Sequence, residues 1–342
     1  MKKVLPIGMP KITCTLHHAY PLSILAISDD YLPWFYSHYI QMEYETDEKQ
    51  RFNFYRYPKY HLSVSPWLQT QIVHHNVIRK AYEKSVDFVI DAIDDGLYVQ
   101  MDVDEFYIPH KELYNRRHYT RELLIYGYDA QNQTLTTLGF DAKGNYTSSE
   151  VPFFAFEQAH INSISRNEQD CRVRIFKYLD NAHYEFDLGA VLEQLQDYLY
   201  AVNTSRRFRS FARVKNYAYG LATYRVIQKY LSFAAKNTSD INRLIFHTLW
   251  EHKKCMQERL NFLEQHGFLN SSLALSMAYE GIKKETEKLR AMSFKYVLTK
   301  DTSILGRMTK LINIIALEEE AILDRVCDGL KTTIKAGRRN NG

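Results

Sequence analysis

Cysteine is scarce in this sequence, and long apolar runs are absent from it. The four cysteines are scattered along 342 residues and form no CxxC pair, which argues against a disulfide framework and a cysteine-rich metal site. They are Cys14, Cys171, Cys255 and Cys327. No stretch approaches the roughly 20 apolar residues that a membrane-spanning helix needs. The N-terminal MKKVLPIGMPKITC also lacks the apolar core of a secretory signal, so we expect a cytoplasmic protein that binds no membrane.

A strong excess of one charge is missing as well. Lysine and arginine total 44 and aspartate and glutamate total 40, a net charge of +4 that does not by itself indicate a nucleic-acid partner. Apolar residues make up 45% of the chain, which is enough for sizeable cores in one large domain or in two. Tyrosine is abundant, at 26 residues, and suits either a contact surface or core packing.

The residue pattern changes near position 188. Upstream, short runs rich in tyrosine, phenylalanine and valine alternate with turn residues, which is typical of antiparallel strands. Downstream, five segments carry helical spacing, which predicts a helical bundle without strands. We therefore expect an α+β domain over 1–188 and a helical domain over 189–342. Upstream of the boundary we predict strands at 97–108, 122–129, 133–141 and 171–179, and helices at 13–28, 70–84 and 152–161.

Cys14 is the strongest candidate for a nucleophile. It lies in KITCTLHHAYPLSILAI, where a polar approach gives way to an apolar run that is predicted to be helical. A thiol at the first turn of a helix lies near the positive end of the helix dipole, which favours the reactive thiolate. Its backbone N–H could also contribute to an oxyanion hole. The alternative is a buried cysteine that serves only as a small apolar side chain.

A predicted hairpin downstream offers the partners that a cysteine nucleophile requires. Its strands are ELLIYGYD and QTLTTLGFD, whose outer ends should lie side by side. His118 stands at the entry of this hairpin and could accept a proton. Asp141 stands at its exit and could orient the imidazole. Cysteine, histidine and aspartate in this order are the chain order of papain-like folds.

Each of these partners has an alternative interpretation. His118 could be a solvated residue of the basic turn NRRHYTR. Asp129 is a competing orienter, although aspartate is favoured where a chain reverses and Asp129 fits such a turn. His17 and His18 follow the cysteine too closely to be an obvious base, so we expect packing roles for them.

Three acidic residues lie close together on one predicted strand. Asp102 and Asp104 share a face of this strand, and Glu105 follows them. They could bind an amine substrate or a divalent ion, or they could belong to a solvated or salt-bridged sheet face. The remaining histidines show no convincing metal-ligand spacing, so the sequence predicts no metal site.

The segment SRRFRSFARVK, at 205–215, interleaves basic residues with phenylalanine. Such a pattern could bind nucleic acid. It could equally receive an acidic carrier protein and the phosphate of its phosphopantetheine arm, because arginine suits phosphate. A solvated loop between domains is the third interpretation. We expect no nucleic acid here, and a carrier-protein contact through Arg206, Arg207 and Arg209.

Several stretches together resemble the butirosin-type acyltransferase family, a branch with a papain-like cysteine peptidase fold. In the first domain the resemblance is carried by ITCTLHHA, DVDEFYIP, RRHYTRELLIYGYD and LGFDAKGNY. In the second it continues through FDLGAVLEQLQDYL and WEHKKCMQERLNFL. The chain departs from the family in two places. Arg121 and Glu122 stand where relatives tend to place a histidine, and Ile7-Gly8-Met9-Pro10 stands where papain-like enzymes tend to have an oxyanion glutamine.

This resemblance implies an acyltransferase of peptide natural-product biosynthesis, because relatives often occur beside nonribosomal-peptide assembly lines. Members typically move an acyl group from a carrier-protein thioester onto a small amine. The acyl group would therefore arrive on the carrier's phosphopantetheine, and the enzyme itself would need no cofactor. A cysteine peptidase or thioesterase using the same residues is the first alternative, and an inactive binding protein is the second. The sequence does not determine the oligomeric state, for which a homodimer is one candidate.

Overall fold

The computed structural model describes residues 1–46, 51–55, 65–166, 172–207 and 216–340. Within these residues the chain is an α+β protein with ten strands and ten α-helices. The strands are β1 (Lys2–Val4), β2 (Met42–Glu45), β3 (Phe52–Phe54), β4 (Leu68–His74), β5 (Tyr98–Asp104), β6 (Thr120–Asp129), β7 (Thr134–Phe140), β8 (Tyr146–Pro152), β9 (Arg172–Tyr178) and β10 (Tyr217–Tyr219). The helices are α1 (Leu16–Leu25), α2 (Leu32–His38), α3 (His75–Ala81), α4 (Ser85–Asp94), α5 (Phe153–Arg166), α6 (Leu188–Leu199), α7 (Ala222–Asn237), α8 (Arg243–Gln265), α9 (Leu275–Thr299) and α10 (Ser303–Asn340).

The chain divides into two compact units. The first comprises Met1–Tyr31 and Leu62–His183, and the second comprises Leu32–His61 and Tyr184–Gly342. The junction at 183/184 lies close to the boundary that composition indicates. However, the segment from Leu32 to His61 belongs to the second unit, which the division into 1–188 and 189–342 does not anticipate. Its strand β2 pairs with β10, a long-range contact that local composition does not reveal.

The first unit is built on a seven-stranded antiparallel sheet. Its order is β4-β9-β5-β6-β7-β8, and β1 pairs with β6 off this path. The central strand β5 is largely buried on both faces, although its apolar residues alternate with Gln100, Asp102 and Asp104, whereas the outer strand β8 carries exposed polar residues. The predicted hairpin is confirmed, because β6 and β7 pair from Asp129 opposite Thr134 onwards. The predicted strand at 97–108 is shorter, because it ends at Asp104 in a short turn of helix.

Helices cover both faces of this sheet. Helices α4 and α5 pack on one face, where Val89 and Phe156 join a core with Val99, Leu123 and Ile125. Helix α1 lies on the opposite face of the sheet, where its side chains contact β6 and β8. The Tyr20 hydroxyl donates to the carbonyl of Glu122 at 2.9 Å, and Ser23 Oγ lies 3.1 Å from the Tyr146 hydroxyl. These bonds fix α1 to β6 and β8.

The predicted helix at 70–84 is wrong in its first part. Residues 70–74 belong to β4, which pairs with β9 from Leu68 opposite Tyr178 to His74 opposite Arg172. The helix α3 begins only at His75, and the imidazole of His74 accepts the backbone N–H of Asn76 at its start. Long-range pairing with β9 therefore decides the structure of residues that carry an ambiguous local pattern.

The second unit is largely helical, as its spacing predicts, but it also contains strands. The strand β10 lies beyond residue 188 and pairs with β2, which in turn pairs with β3. The prediction that strands stop at 188 is therefore wrong. None of the helices in the described ranges is long and apolar enough to span a membrane.

A buried polar network joins the five long helices of the second unit. The carboxylate of Glu319 on α10 accepts bonds from Tyr198 on α6, Tyr224 on α7, Tyr279 on α9 and Lys253 on α8. Lys253 and Glu319 are both fully buried and lie 2.9 Å apart. Side chains of α6, α7, α8 and α9 thus converge on a single carboxylate of α10.

His252 completes this network. Its Nε2 faces the carbonyl of Ile40 at 2.8 Å, and its Nδ1 faces Lys253 Nζ at 3.1 Å. Because the lysine ammonium donates, Nδ1 must accept and Nε2 must carry the proton. Burial and the neighbouring Lys253 lower the pKa of His252, which keeps the imidazole neutral. In the sequence this histidine appears only as an interruption of an apolar stripe.

Candidate functional site

Cys14 lies directly in front of helix α1. The first helical residue is Leu16 and the N-cap is Thr15, so Cys14 lies one position before the N-cap rather than in the first turn of the helix. Its side chain is buried, with 4% of its surface exposed. This position still places the cysteine near the positive end of the helix dipole, as the sequence predicts.

The segment that leads to Cys14 is anchored at several points. The backbone N–H of Leu5 donates to the carbonyl of Tyr126, and the Tyr98 hydroxyl donates to the carbonyl of Pro6 at 2.5 Å. Gly8 then donates its N–H to the carbonyl of Ser23 in α1 at 2.8 Å. The cysteine is therefore held between an anchored loop and an anchored helix.

His118 forms a short hydrogen bond with Asp104. Its Nδ1 lies 2.7 Å from Oδ2 of Asp104, and the carboxylate side chain is fully buried while the imidazole is 35% exposed. A carboxylate only accepts, so Nδ1 carries the proton and donates. The other ring nitrogen, Nε2, is thereby the one that can exchange a proton with a substrate or a thiol.

The end of the sheet positions both members of this pair. Asp104 is the last residue of β5 and pairs in register with Thr120, the first residue of β6, which His118 precedes by two residues. Asp104 Oδ1 accepts the backbone N–H groups of Phe106 and Tyr119, both at 3.1 Å. The ring of Phe106 stacks on the imidazole with centroids 4.3 Å apart. The carboxylate is thus oriented by the backbone, and the imidazole by the carboxylate and an aromatic ring.

Asp141 does not orient His118, which corrects the sequence prediction. Its Oδ1 accepts the backbone N–H groups of Lys143 and Asn145, and its Oδ2 accepts the side-chain amide of Asn145. These bonds lower the pKa of Asp141 and close the turn between β7 and β8. Both carboxylate oxygens are therefore used within the turn, and Asp104 replaces Asp141 as the carboxylate on His118.

Asp129 has the same kind of role one turn earlier. Its Oδ1 accepts the backbone N–H groups of Gln131 and Asn132, and its Oδ2 accepts the side-chain amide of Asn132. The interpretation of Asp129 as a turn residue is confirmed. The same signal, an aspartate followed by asparagine in a short polar turn, is present in DAKGN and could have identified Asp141 as well.

A second polar group lies beside the His118–Asp104 pair. Glu105 is buried and its Oε1 lies 3.2 Å from Nη1 of Arg121. Burial raises the pKa of Glu105, while Arg121 and Lys111 oppose the shift. Lys111 donates to the carbonyl of Phe140 at 2.8 Å. Arg121 thus pairs with a buried carboxylate.

Asp102 contributes through its backbone. Its carbonyl accepts bonds from His160 Nδ1 at 3.0 Å and from Ser163 Oγ at 2.8 Å, which ties α5 to β5. Burial lowers the pKa of His160, so its imidazole stays neutral. Near the end of β5, Asp104 pairs with His118 and Glu105 pairs with Arg121. In the described residues, no group of three or more potential ligand side chains is arranged to hold a metal ion.

The remaining sequence candidates lie elsewhere. Arg206 and Arg207 belong to a short helical turn, Thr204–Arg207, in the second unit, and Arg209 lies outside the described residues. Cys255 and Cys327 are buried in α8 and α10. Burial raises the pKa of both thiols, that of Cys327 to about 11, so both stay protonated at neutral pH.

Together these features define an α+β protein with a buried cysteine before a helix and a carboxylate-oriented histidine at a sheet end. No protein family model matches the chain, and no curated protein matches it.

Proposed function

We propose that the protein is an acyltransferase that forms an amide bond through an acyl intermediate on Cys14. The observation that carries the proposal is the hydrogen bond of 2.7 Å between His118 Nδ1 and the buried Asp104 carboxylate. A histidine oriented in this way is the usual partner of an acyl-accepting nucleophile. Cys14 belongs to the same compact unit, and the helix that follows it is bonded to β6, the strand that follows His118.

In the first half of the reaction, His118 Nε2 accepts the thiol proton of Cys14. The thiolate attacks the carbonyl carbon of a thioester, and the bond from that carbon to the donor sulfur breaks. The donor thiolate leaves and takes the proton from the imidazolium, so the imidazole is neutral again. Asp104 stabilises the imidazolium while it exists. Exchange of one thioester for another is nearly neutral in free energy, so loading of Cys14 needs no coupled energy source.

In the second half, the nitrogen of an amine attacks the acyl group on Cys14. A carbon–nitrogen bond forms, the carbon–sulfur bond breaks, and His118 transfers the amine proton to the leaving sulfur. Water in place of the amine would give hydrolysis, so exclusion of water decides between transferase and thioesterase.

We also propose a papain-like arrangement of the first unit and a carrier protein as acyl donor, as the resemblance to butirosin-type acyltransferases implies. The order of a cysteine before a helix and a histidine at the start of a later antiparallel strand supports a papain-like arrangement in the first unit. A carrier protein of nonribosomal-peptide assembly is the proposed acyl donor. The exposed Arg206 supports a contact with its phosphopantetheine phosphate, since guanidinium groups bind phosphate well.

Product analysis tests this function. The purified protein is incubated with an acyl-pantetheine thioester and an excess of a simple primary amine, and the products are separated by liquid chromatography with mass spectrometry. We expect the amide to form faster than in a sample of the Cys14→Ala variant. The free acid as the main product despite excess amine would establish the thioesterase alternative. Equal rates for both proteins would contradict a role of Cys14.

A further inference from the structure

Helices α8 and α9 carry a column of cations and aromatic rings on their surface. Lys254 Nζ and the guanidinium of Arg290 lie over the ring of Trp250, at 5.9 and 4.7 Å from its centroid. Arg290 also lies 6.0 Å from the ring centroid of Phe294, and Arg243 lies 4.7 Å from it. We call these five residues the cation–ring column. Each cation–ring contact of this kind stabilises the position of a flexible side chain by a small amount of free energy.

The cations of this column pair with rings rather than with carboxylates in the described ranges of the chain. Among the residues that the structure describes, none of Arg243, Lys254 and Arg290 has a carboxylate within ion-pair distance. Other lysines of α9 differ: Lys283 lies 2.7 Å from Glu280, and Lys288 lies 2.5 Å from Glu285. The column therefore presents three positive charges that the rings fix and that no carboxylate of the described part of the chain pairs with.

We infer that the cation–ring column is a docking surface for an acidic α-helix of a partner protein. Arg243 and Lys254 are separated by eleven positions on α8, about 16 Å at 1.5 Å per residue, a length that carboxylates on one face of a facing helix can follow. Leu298, one turn beyond Phe294, is 84% exposed and offers an apolar contact at the same surface. Arginine and aromatic residues are also the types enriched in protein interfaces.

Nucleic acid and membranes fit this surface less well. Single-stranded nucleic acid stacks its bases on open aromatic faces, whereas the rings of Trp250 and Phe294 already hold cations over theirs. A membrane surface offers mobile charges and requires no fixed spacing of cations. Cations held at fixed positions by stacking match a partner whose carboxylates are also fixed, as on a helix.

Binding of a synthetic helix tests this inference without knowledge of the natural partner. The probe is a fluorescent, hydrocarbon-stapled peptide with glutamates along one face and leucines beside them, and its affinity is measured by fluorescence anisotropy. A stapled peptide of the same composition with its glutamates distributed around the helix is the first comparison. An oligothymidylate and phosphatidylserine vesicles represent the other partners. The variants are Arg243→Gln with Arg290→Gln, and the matched control is Lys283→Gln with Lys288→Gln.

We expect the one-faced peptide to bind the native protein and to bind the Arg243→Gln/Arg290→Gln variant at least about tenfold more weakly, because both contacts lie in one interface. The control variant removes the same charge and should bind within about twofold of the native protein. The charge-conserving Arg243→Lys/Arg290→Lys variant should lie between them, and thermal unfolding monitors folding of all variants. The inference would be overturned if the distributed peptide bound equally well, if the control variant lost as much affinity, or if the one-faced peptide did not bind at low salt. It would also be overturned if only the oligonucleotide or the vesicles bound in a way that depends on the column.

Discussion

His118 Nδ1 lies 2.7 Å from Oδ2 of Asp104, and this pair joins the end of one central strand to the entry of the next. The carboxylate is buried and held by two backbone N–H groups, so its position does not depend on side-chain packing alone. The imidazole is partly exposed and has one nitrogen engaged. This arrangement is suited to proton transfer at Nε2, and it gives the proposed chemistry a defined base.

Substitution of Asp104 by asparagine should impair acyl transfer strongly. The amide can donate to Nδ1, which favours the tautomer with the proton on Nε2, where it cannot accept another. We expect the transfer rate to fall by about 10²- to 10⁴-fold, as for comparable changes in acyl-transfer triads. Single-turnover kinetics with an acyl-pantetheine thioester measure this rate. Thermal unfolding of the variant serves as the control for folding, and an unchanged rate would exclude Asp104 from the mechanism.

Substitution of Asp141 by asparagine should leave the transfer rate within about twofold and reduce stability only above acid pH. Hydrogen bonds within the turn lower the pKa of Asp141, so its folded-state pKa lies below the unfolded value. Its contribution is therefore present above about pH 4 and is lost as the pH falls through the folded-state pKa. Urea unfolding of both proteins at several pH values measures the difference. A large loss of transfer activity would restore Asp141 as a catalytic partner.

Substitution of Gly8 by alanine should destabilise the first unit. A Cβ at this position would lie 1.9 Å from the carbonyl oxygen of Ala26, a backbone atom that cannot move independently. We expect a loss of about 1–3 kcal/mol and slower modification of Cys14, whose loop must shift. Gly281 provides the control, because no atom lies within 4 Å of its Cβ position in α9. Alanine at position 281 should stabilise the protein by about 0.5–1 kcal/mol. A change in stability of the same sign for both substitutions would contradict the prediction.

Substitution of Lys253 by methionine should destabilise the second unit by about 3–5 kcal/mol, because it leaves the buried Glu319 carboxylate without its cation. The Lys253→Met/Glu319→Leu double variant should be less destabilised than the two single variants added together. Urea unfolding of the four proteins measures this coupling. A Lys283→Gln variant breaks a surface pair and should change stability by no more than about 0.5 kcal/mol. Additive effects of the buried substitutions would show that the pair is not coupled.

Local patterns predict much of the fold. The β6–β7 hairpin, the turn at Asp141–Gly144 and the long helices of the second unit follow from alternation, turn residues and helical spacing. Residues 70–74 and β10 do not follow, because their strand character depends on partners far along the chain. The Lys253–Glu319 pair cannot be predicted for the same reason, since the sequence of neither helix indicates which residue of the other helix will contact Lys253 or Glu319.

The candidate site is predicted only in part. Cys14 and His118 are identifiable from their positions before a helix and before a hairpin. Asp104 is one of three nearby acidic residues, and only the register between β5 and β6 places it, rather than Asp102, beside the histidine. Asp141 is chosen from the sequence because hairpin ends converge, yet its own turn uses both of its carboxylate oxygens.

The most direct test of the central claim is the location of the acyl group on the protein. The native protein is mixed with an acyl-pantetheine thioester in the absence of amine, quenched with acid, and examined by intact mass spectrometry and peptide mapping. We predict a single acyl adduct on Cys14 that is absent from the Cys14→Ala variant. An adduct that persists in this variant, or that maps to Cys255 or Cys327, or the absence of any adduct on the native protein, would contradict the proposed role of Cys14.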